Sequence, residues 1–165
     1  MNYKPLYLEE DFISVVINWS NPFLLEQIKT KSIANHEQGY FYKLLGRKND
    51  EYELFYIGQT QSQYISKRLI NVDHKNKQER FRKDYPNHEL CVSVGTIESP
   101  NKIKATLINN VESLLIFSCY NDDFKHFGNI KSTLTHKVIR NYKIVNDGFK
   151  QDGMYKEIAF GLFYK

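Results

Sequence analysis

The stretch Gly39-Tyr40-Phe41-Tyr42-Lys43-Leu44-Leu45, with its partner Tyr52-Glu53-Leu54-Phe55-Tyr56-Ile57-Gly58, decides how this chain is read. Both runs are rich in Tyr, Phe and aliphatic residues, which suit a pleated, packed backbone. Between them lies Gly46-Arg47-Lys48-Asn49-Asp50-Glu51, a polar, glycine-containing connection of the kind that closes a hairpin. An antiparallel pair over 39–45 and 52–58 is the expectation from which the rest is built.

Downstream, the charged stretch from Gln63 to about Tyr85 reads as helix, broken near Asn71. Leu90, Val92 and Val94 alternate with Cys91, Ser93 and Gly95, the period of a half-buried strand. Ser99-Pro100-Asn101 then opens the best-patterned helix, with Ile103, Leu107, Ile108, Val111, Leu114 and Leu115 at helical spacing. The tail over 135–165 alternates β-prone runs with Asn146-Asp147-Gly148 and Gln151-Asp152-Gly153 turns, so short strands or a terminal hairpin are expected. Upstream, Phe12 to Ile17 is an apolar run whose periodicity fits strand and helix alike. Ser20-Asn21-Pro22 resembles a helix start, and Phe23, Leu24, Gln27, Ile28 and Lys31 continue a helical face that fades by Asn35. Residues 1–38 are therefore expected to form an N-terminal extension packed on a domain spanning 39–165. Pattern alone assigns a mixed α/β class.

The 165 residues suit one domain, and 41% hydrophobic with 15% aromatic residues is enough to build a core. A net charge of +4 is compatible with a polyanionic partner. Cys91 and Cys119 lie far apart and offer neither metal-ligand spacing nor a disulfide framework, so two buried thiols are expected. The N-terminus lacks the pattern of a signal peptide, and polar residues interrupt the apolar helix over 105–117. A cytoplasmic protein with no membrane partner is the expectation.

The two strand motifs, followed by Arg68 and His74, resemble the GIY-YIG nuclease superfamily. Tyr56-Ile57-Gly58 matches the second half of that motif, while the first half departs from it, with Tyr-Phe-Tyr after Gly39. Tyr42 aligns with the family tyrosine because Lys43-Leu44 continues the strand as usual; Tyr40 would be an extra aromatic on the same face. The sequence leaves open which of the two acts. The arginine arrives late, after a long connection over 61–66. The family's metal-binding glutamate on a later helix corresponds to Glu112 in Val111-Glu112-Ser113-Leu114-Leu115, and its asparagine to Asn129, with His126 and Asn121 as alternatives.

What the resemblance implies is an α/β (α+β) fold with a small, central, mainly antiparallel sheet flanked by helices, and a metal-dependent endonuclease acting on DNA. Tyr42, Tyr56, Arg68, His74 and Glu112 would be its catalytic residues, with Mg²⁺ or Mn²⁺ on Glu112. The set suits phosphodiester hydrolysis: a carboxylate is a hard oxygen ligand for such ions, and an arginine forks two donors onto phosphate oxygens. A phenol ordinarily titrates near ~10, and a neighbouring guanidinium or a metal-bound water is expected to lower that value. Tyr56 or Tyr42 would be the base, directly or through water, and His74 would relay a proton unless it is a surface histidine. Lys67, Lys75, Lys77, Arg80, Arg82 and Lys83, interleaved with Tyr64, Phe81 and Tyr85, would meet the DNA backbone together with Asn129; the plainer reading of that run is a solvated helix face. The rival functional class is a non-catalytic nucleic-acid-binding or interaction module that keeps the fold. A third reading, an unrelated α/β domain, would leave Tyr56, Arg68 and Glu112 too far apart to share a phosphate.

Overall fold

The computed structural model describes residues 13–119, 128–129, 142–159 and the backbone of 162–164. The expected hairpin forms and is longer than expected: β3 (Gly39–Lys48) turns through Asn49 and Asp50 into β4 (Glu51–Gln59). Asn49 and Asp50 both take positive φ, 50° and 64°, the left-handed conformation that a tight two-residue hairpin requires and that Asn and Asp tolerate best. Gly46 is thus not in the turn but inside β3, where an added Cβ would lie 2.2 Å from the Phe55 ring.

The other elements are β1 (Ile13–Trp19), β2 (Phe23–Leu24), α1 (Ile65–Leu69), α2 (Val72–Asp84), β5 (Glu89–Thr96), α3 (Ala105–Ser118), β6 (Tyr142–Gly148), β7 (Glu157–Ala159) and β8 (Leu162–Tyr164). The molecule is mixed α/β, built on one sheet of order β4-β3-β5-β1-β6-β7-β8, with β2 also paired to β5. Every pairing is antiparallel except β1 with β6. At eight strands the sheet is larger than expected, because the segments before and after the central hairpin join it.

The helix expected from Ser20 onward is absent. Ser20 instead bridges to β5: its hydroxyl accepts from Val94 N–H at 3.0 Å, and its carbonyl accepts from the Ser93 hydroxyl at 2.7 Å. Phe23 and Leu24 then pair with Val92 and Cys91, and 3-10 turns at Leu25–Gln27 and Ser32–Asn35 follow. A free edge on β5 offers this segment ladder hydrogen bonds, and tertiary pairing overrides a weak local helix preference. Residues 13–38 supply side chains to both core clusters, and β1 lies inside the sheet rather than appended to it.

The sheet buries both faces. Phe41, Leu45 and Ile57 pack with Ile108, Val111, Leu114 and Leu115 of α3. Tyr42, Leu44, Phe55 and Val92 pack with Ile65 and Leu69 of α1 and Phe81 of α2. The break near Asn71 is where α1 ends and α2 begins. Lys43 is fully buried on β3; its Nζ donates to Phe149 O at 3.1 Å and Gln151 Oε1 at 3.0 Å and lies 4.3 Å from the Trp19 ring. Burial pushes its pKa down to about 7. Cys91 and Cys119 are buried free thiols, as expected. No helix among the described residues is long and apolar enough to cross a membrane.

Candidate active site

Two irregularities of the central hairpin aim its tyrosines. Against β4, the register of β3 slips between Leu44 and Leu45, so that Leu44 faces Tyr56, Leu45 faces Leu54, and Phe55 is the extra residue of a bulge. Phe55 and Tyr56 consequently both pack toward α1 and α2. Against β5, the register slips between Gly39 and Phe41, which leaves Tyr40 unpaired. Strand alternation puts Tyr40 and Tyr42 on one face; the bulge separates them. Tyr40 joins the core cluster on the α3 side and its hydroxyl accepts from Ile103 N–H at 3.5 Å, while Tyr42 faces α1 and α2. Tyr42 is thus the first-strand tyrosine that meets Tyr56.

Tyr42 sits directly across from Gly58, the glycine of Tyr-Ile-Gly. A Cβ on Gly58 would lie 2.3 Å from both Cζ and Oη of Tyr42, so only glycine leaves room for that ring. The Tyr42 and Tyr56 rings are 6.2 Å apart, and His74 stands edge-on to both at 5.8 and 6.2 Å. His74, in the first turn of α2, is 1% exposed and hydrogen-bonded through Nε2 to Tyr42 Oη at 3.2 Å. The surface-histidine reading is excluded by that burial. Arg68, in the last turn of α1, acts by its charge on both tyrosines and lies 3.8 Å from Asp73 Oδ2. Glu112, half-buried on α3, acts by its charge on both tyrosines. Tyr42, Tyr56 and His74 thus form one cluster, and the charges of Arg68 and Glu112 reach both of its phenols.

Two further residues join this cluster, Asp73, which the sequence does not mark, and Lys77, which it assigns to the DNA backbone. Asp73 lies 3.8 Å from His74 Nε2 as well as from Arg68. Lys77, expected on the DNA backbone, instead places its ammonium 3.6 Å from the centroid of Tyr56. Positions 73, 74 and 77 lie within one turn of α2, and that i, i+3, i+4 spacing was the available signal. The rest of the run is divided as an amphipathic helix is: His74, Gln78 and Phe81 are buried, while Lys75, Arg80, Arg82 and Lys83 are exposed, with Arg80 3.7 Å from Asp84. Lys67 is exposed on α1.

Asn129 does not face solvent as a nucleic-acid contact would. It is 6% exposed, accepts from Ile57 N–H at 2.8 Å and donates from Nδ2 to Ile57 O at 2.8 Å. Beside it, Gly128 N–H donates to Phe55 O at 2.6 Å. The pair satisfies the outer edge of β4 at the residues that frame Tyr56, a structural role. His126 and Asn121 lie outside the described residues.

The electrostatics correct one expectation. Arg68 does act to lower both phenols, but burial outweighs it. Tyr42 is raised well above the usual phenol value by burial first and then by Tyr56, and Tyr56 is raised by burial and then Glu112. In the free chain both are neutral hydrogen-bonding groups at neutral pH. His74 is pushed down to about 4 by burial, Lys77 and Arg68, against Asp73. It is therefore a neutral imidazole at neutral pH.

That shift yields a stability prediction. Unfolded, His74 titrates near ~6.5, so between that value and about 4 the unfolded chain binds the extra proton. Its contribution is intact above the unfolded value and is lost as pH falls toward the folded one, by at most about 3 kcal/mol. Urea unfolding at pH 7 and pH 4.5 is expected to show a smaller loss of stability in His74→Gln than in the wild type; equal losses would show that another group carries the acid sensitivity.

Among the described residues no three His, Cys, Asp or Glu side chains gather as a metal cage. A lone glutamate nevertheless fits Mg²⁺ or Mn²⁺, which retain several waters and take one or two protein carboxylates. Glu112, whose charge acts on both tyrosines, would be the carboxylate for such an ion. No known family model, curated protein or solved structure matches the chain.

Proposed function

We propose that the chain is a metal-dependent endonuclease of GIY-YIG type that hydrolyses phosphodiester bonds of DNA. The observation that carries this reading is the Tyr42 hydroxyl, hydrogen-bonded to a buried neutral imidazole, with the charges of Arg68 and Glu112 acting on the same ring. Each member answers a need of the reaction. Arg68 meets the phosphate and the charge that grows on it. A water attacks phosphorus and its proton passes through the Tyr42 hydroxyl to His74 Nε2, while the P–O bond to the departing sugar oxygen breaks and that oxygen takes a proton from solvent. Tyr56, the more exposed tyrosine, orients that water. Glu112 would hold Mg²⁺ or Mn²⁺, which supplies positive charge at the phosphate and leaving oxygens. The exposed cations Lys67, Lys75, Arg80, Arg82 and Lys83 lie on α1 and α2, the helices that bear Arg68 and His74, and would contact the DNA backbone.

Supercoiled plasmid tests the reading. Wild-type protein is expected to nick it with Mg²⁺ or Mn²⁺ and to stop on chelation, and Arg68→Ala and Glu112→Ala are each expected to slow nicking about a thousand-fold. No cleavage by the wild type with either metal, or equal cleavage by wild type and both variants, would leave a non-catalytic nucleic-acid-binding module as the better account.

A further inference from the structure

A cleft of about 590 Å³ opens where the approach to β3, the loop after β4 and the segment before α3 meet. It borders the candidate active site twice. Lys67, on its rim, directly precedes Arg68. Gln61, in its wall, donates to Asn109 Oδ1 at 2.6 Å, and Asn109 lies one helical turn before Glu112 on α3.

Its lining has a distinct chemistry. Gln63 and Asn101, both exposed, bring amides with a donor and an acceptor side by side, and Gln38 and Gln61, whose amide nitrogens already donate to Ser99 O and Asn109 Oδ1, add carbonyl acceptors. Such groups match the edges of nucleobases. Tyr64 contributes a ring that is 37% exposed, with Lys67 Nζ 5.9 Å from its centroid. Lys67 and Lys102, both exposed, stand at the rim. The walls are held by contacts of their own: Gln38 Nε2 donates to Ser99 O at 2.6 Å, and Thr60 Oγ1 donates to Gln63 O at 2.8 Å. The volume falls within the range of preformed small-ligand sites. A wholly apolar ligand would strand the amides, and the lining's one carboxylate, Glu37, is too little for a cation site.

We infer that this cleft receives one unpaired nucleobase of the strand being cut, stacked on Tyr64 and read by the surrounding amides, with Lys67 and Lys102 on the flanking phosphates. The inference rests on the nuclease reading for its neighbour, the scissile phosphate, and gives that enzyme a local base preference.

The test measures fluorescence anisotropy of labelled single-stranded DNA tetramers on the full chain without divalent metal. One tetramer carries a complete set of bases; the other is abasic at its inner positions. The base-bearing tetramer is expected to bind about ten-fold more tightly, the size of one base–aromatic stack. Tyr64→Ala is expected to erase that difference and Tyr64→Phe to keep it; the position is exposed, so both variants should fold. Equal binding of the two tetramers, no binding of either, or a difference that survives Tyr64→Ala overturns the inference. Plasmid nicking is read separately: nicking without base discrimination removes the cleft and leaves the nuclease, and discrimination without nicking does the reverse.

Discussion

Arg68→Ala is expected to lower the rate of plasmid nicking about a thousand-fold, the scale of losing one group that stabilises transition-state charge. The expectation follows from position. Arg68 ends a short helix pinned by the buried Ile65 and Leu69, so its guanidinium, whose charge acts on Tyr42, is carried by a rigid element rather than a loop. Its partner Asp73 is 65% exposed and 3.8 Å away, so the pair contributes less than ~1 kcal/mol to folding. A lost rate with a nearly unchanged melting temperature is the predicted signature. Arg68→Lys should recover little, because an ammonium cannot reproduce the two-pronged contact. Nicking by Arg68→Ala at the wild-type rate would remove Arg68 from the phosphate.

Gly58→Ala is expected to destabilise the fold by about 1–3 kcal/mol and to reduce nicking at least as severely as the loss of one catalytic hydrogen bond, roughly a hundred-fold. The added methyl would meet Tyr42 Cζ and Oη at 2.3 Å. Tyr42 is 1% exposed, with Tyr56 and His74 beside it, so its ring has little room to withdraw. The hydrogen bond to His74 is the contact most exposed to that displacement. Denaturant unfolding and nicking measured on one preparation check both parts. A variant with wild-type stability and rate would show that the tyrosine relaxes freely, and that the glycine is not what seats it.

The segments most legible in the sequence are those whose hydrogen bonds are local or nearly so. The hairpin over 39–59, the two helices separated at Asn71, the strand at Leu90 and the helix carrying Val111 and Leu115 all appear, with boundaries displaced by a few residues. Residues 20–35 failed because Ser, Pro and a spaced apolar pattern describe a helix start equally well as a strand crossing. The choice was made by the open edge of β5, distant in sequence. The tail strands were anticipated only as a class, since the parallel pairing of β6 with β1 joins residues more than a hundred positions apart.

The same division runs through the candidate site. Residue identity alone placed Tyr42, Tyr56, Arg68, His74 and Glu112 on the right elements, because strand and helix periods follow from side-chain sequence. Tertiary structure decided between Tyr40 and Tyr42, since a bulge is a property of two strands in register rather than of either one. It withdrew Asn129 to the edge of β4, moved Lys77 onto the Tyr56 ring and added Asp73. It also reversed the direction expected for the tyrosines: a guanidinium is visible in a sequence, but the burial that outweighs it exists only once the sheet and helices close over the ring.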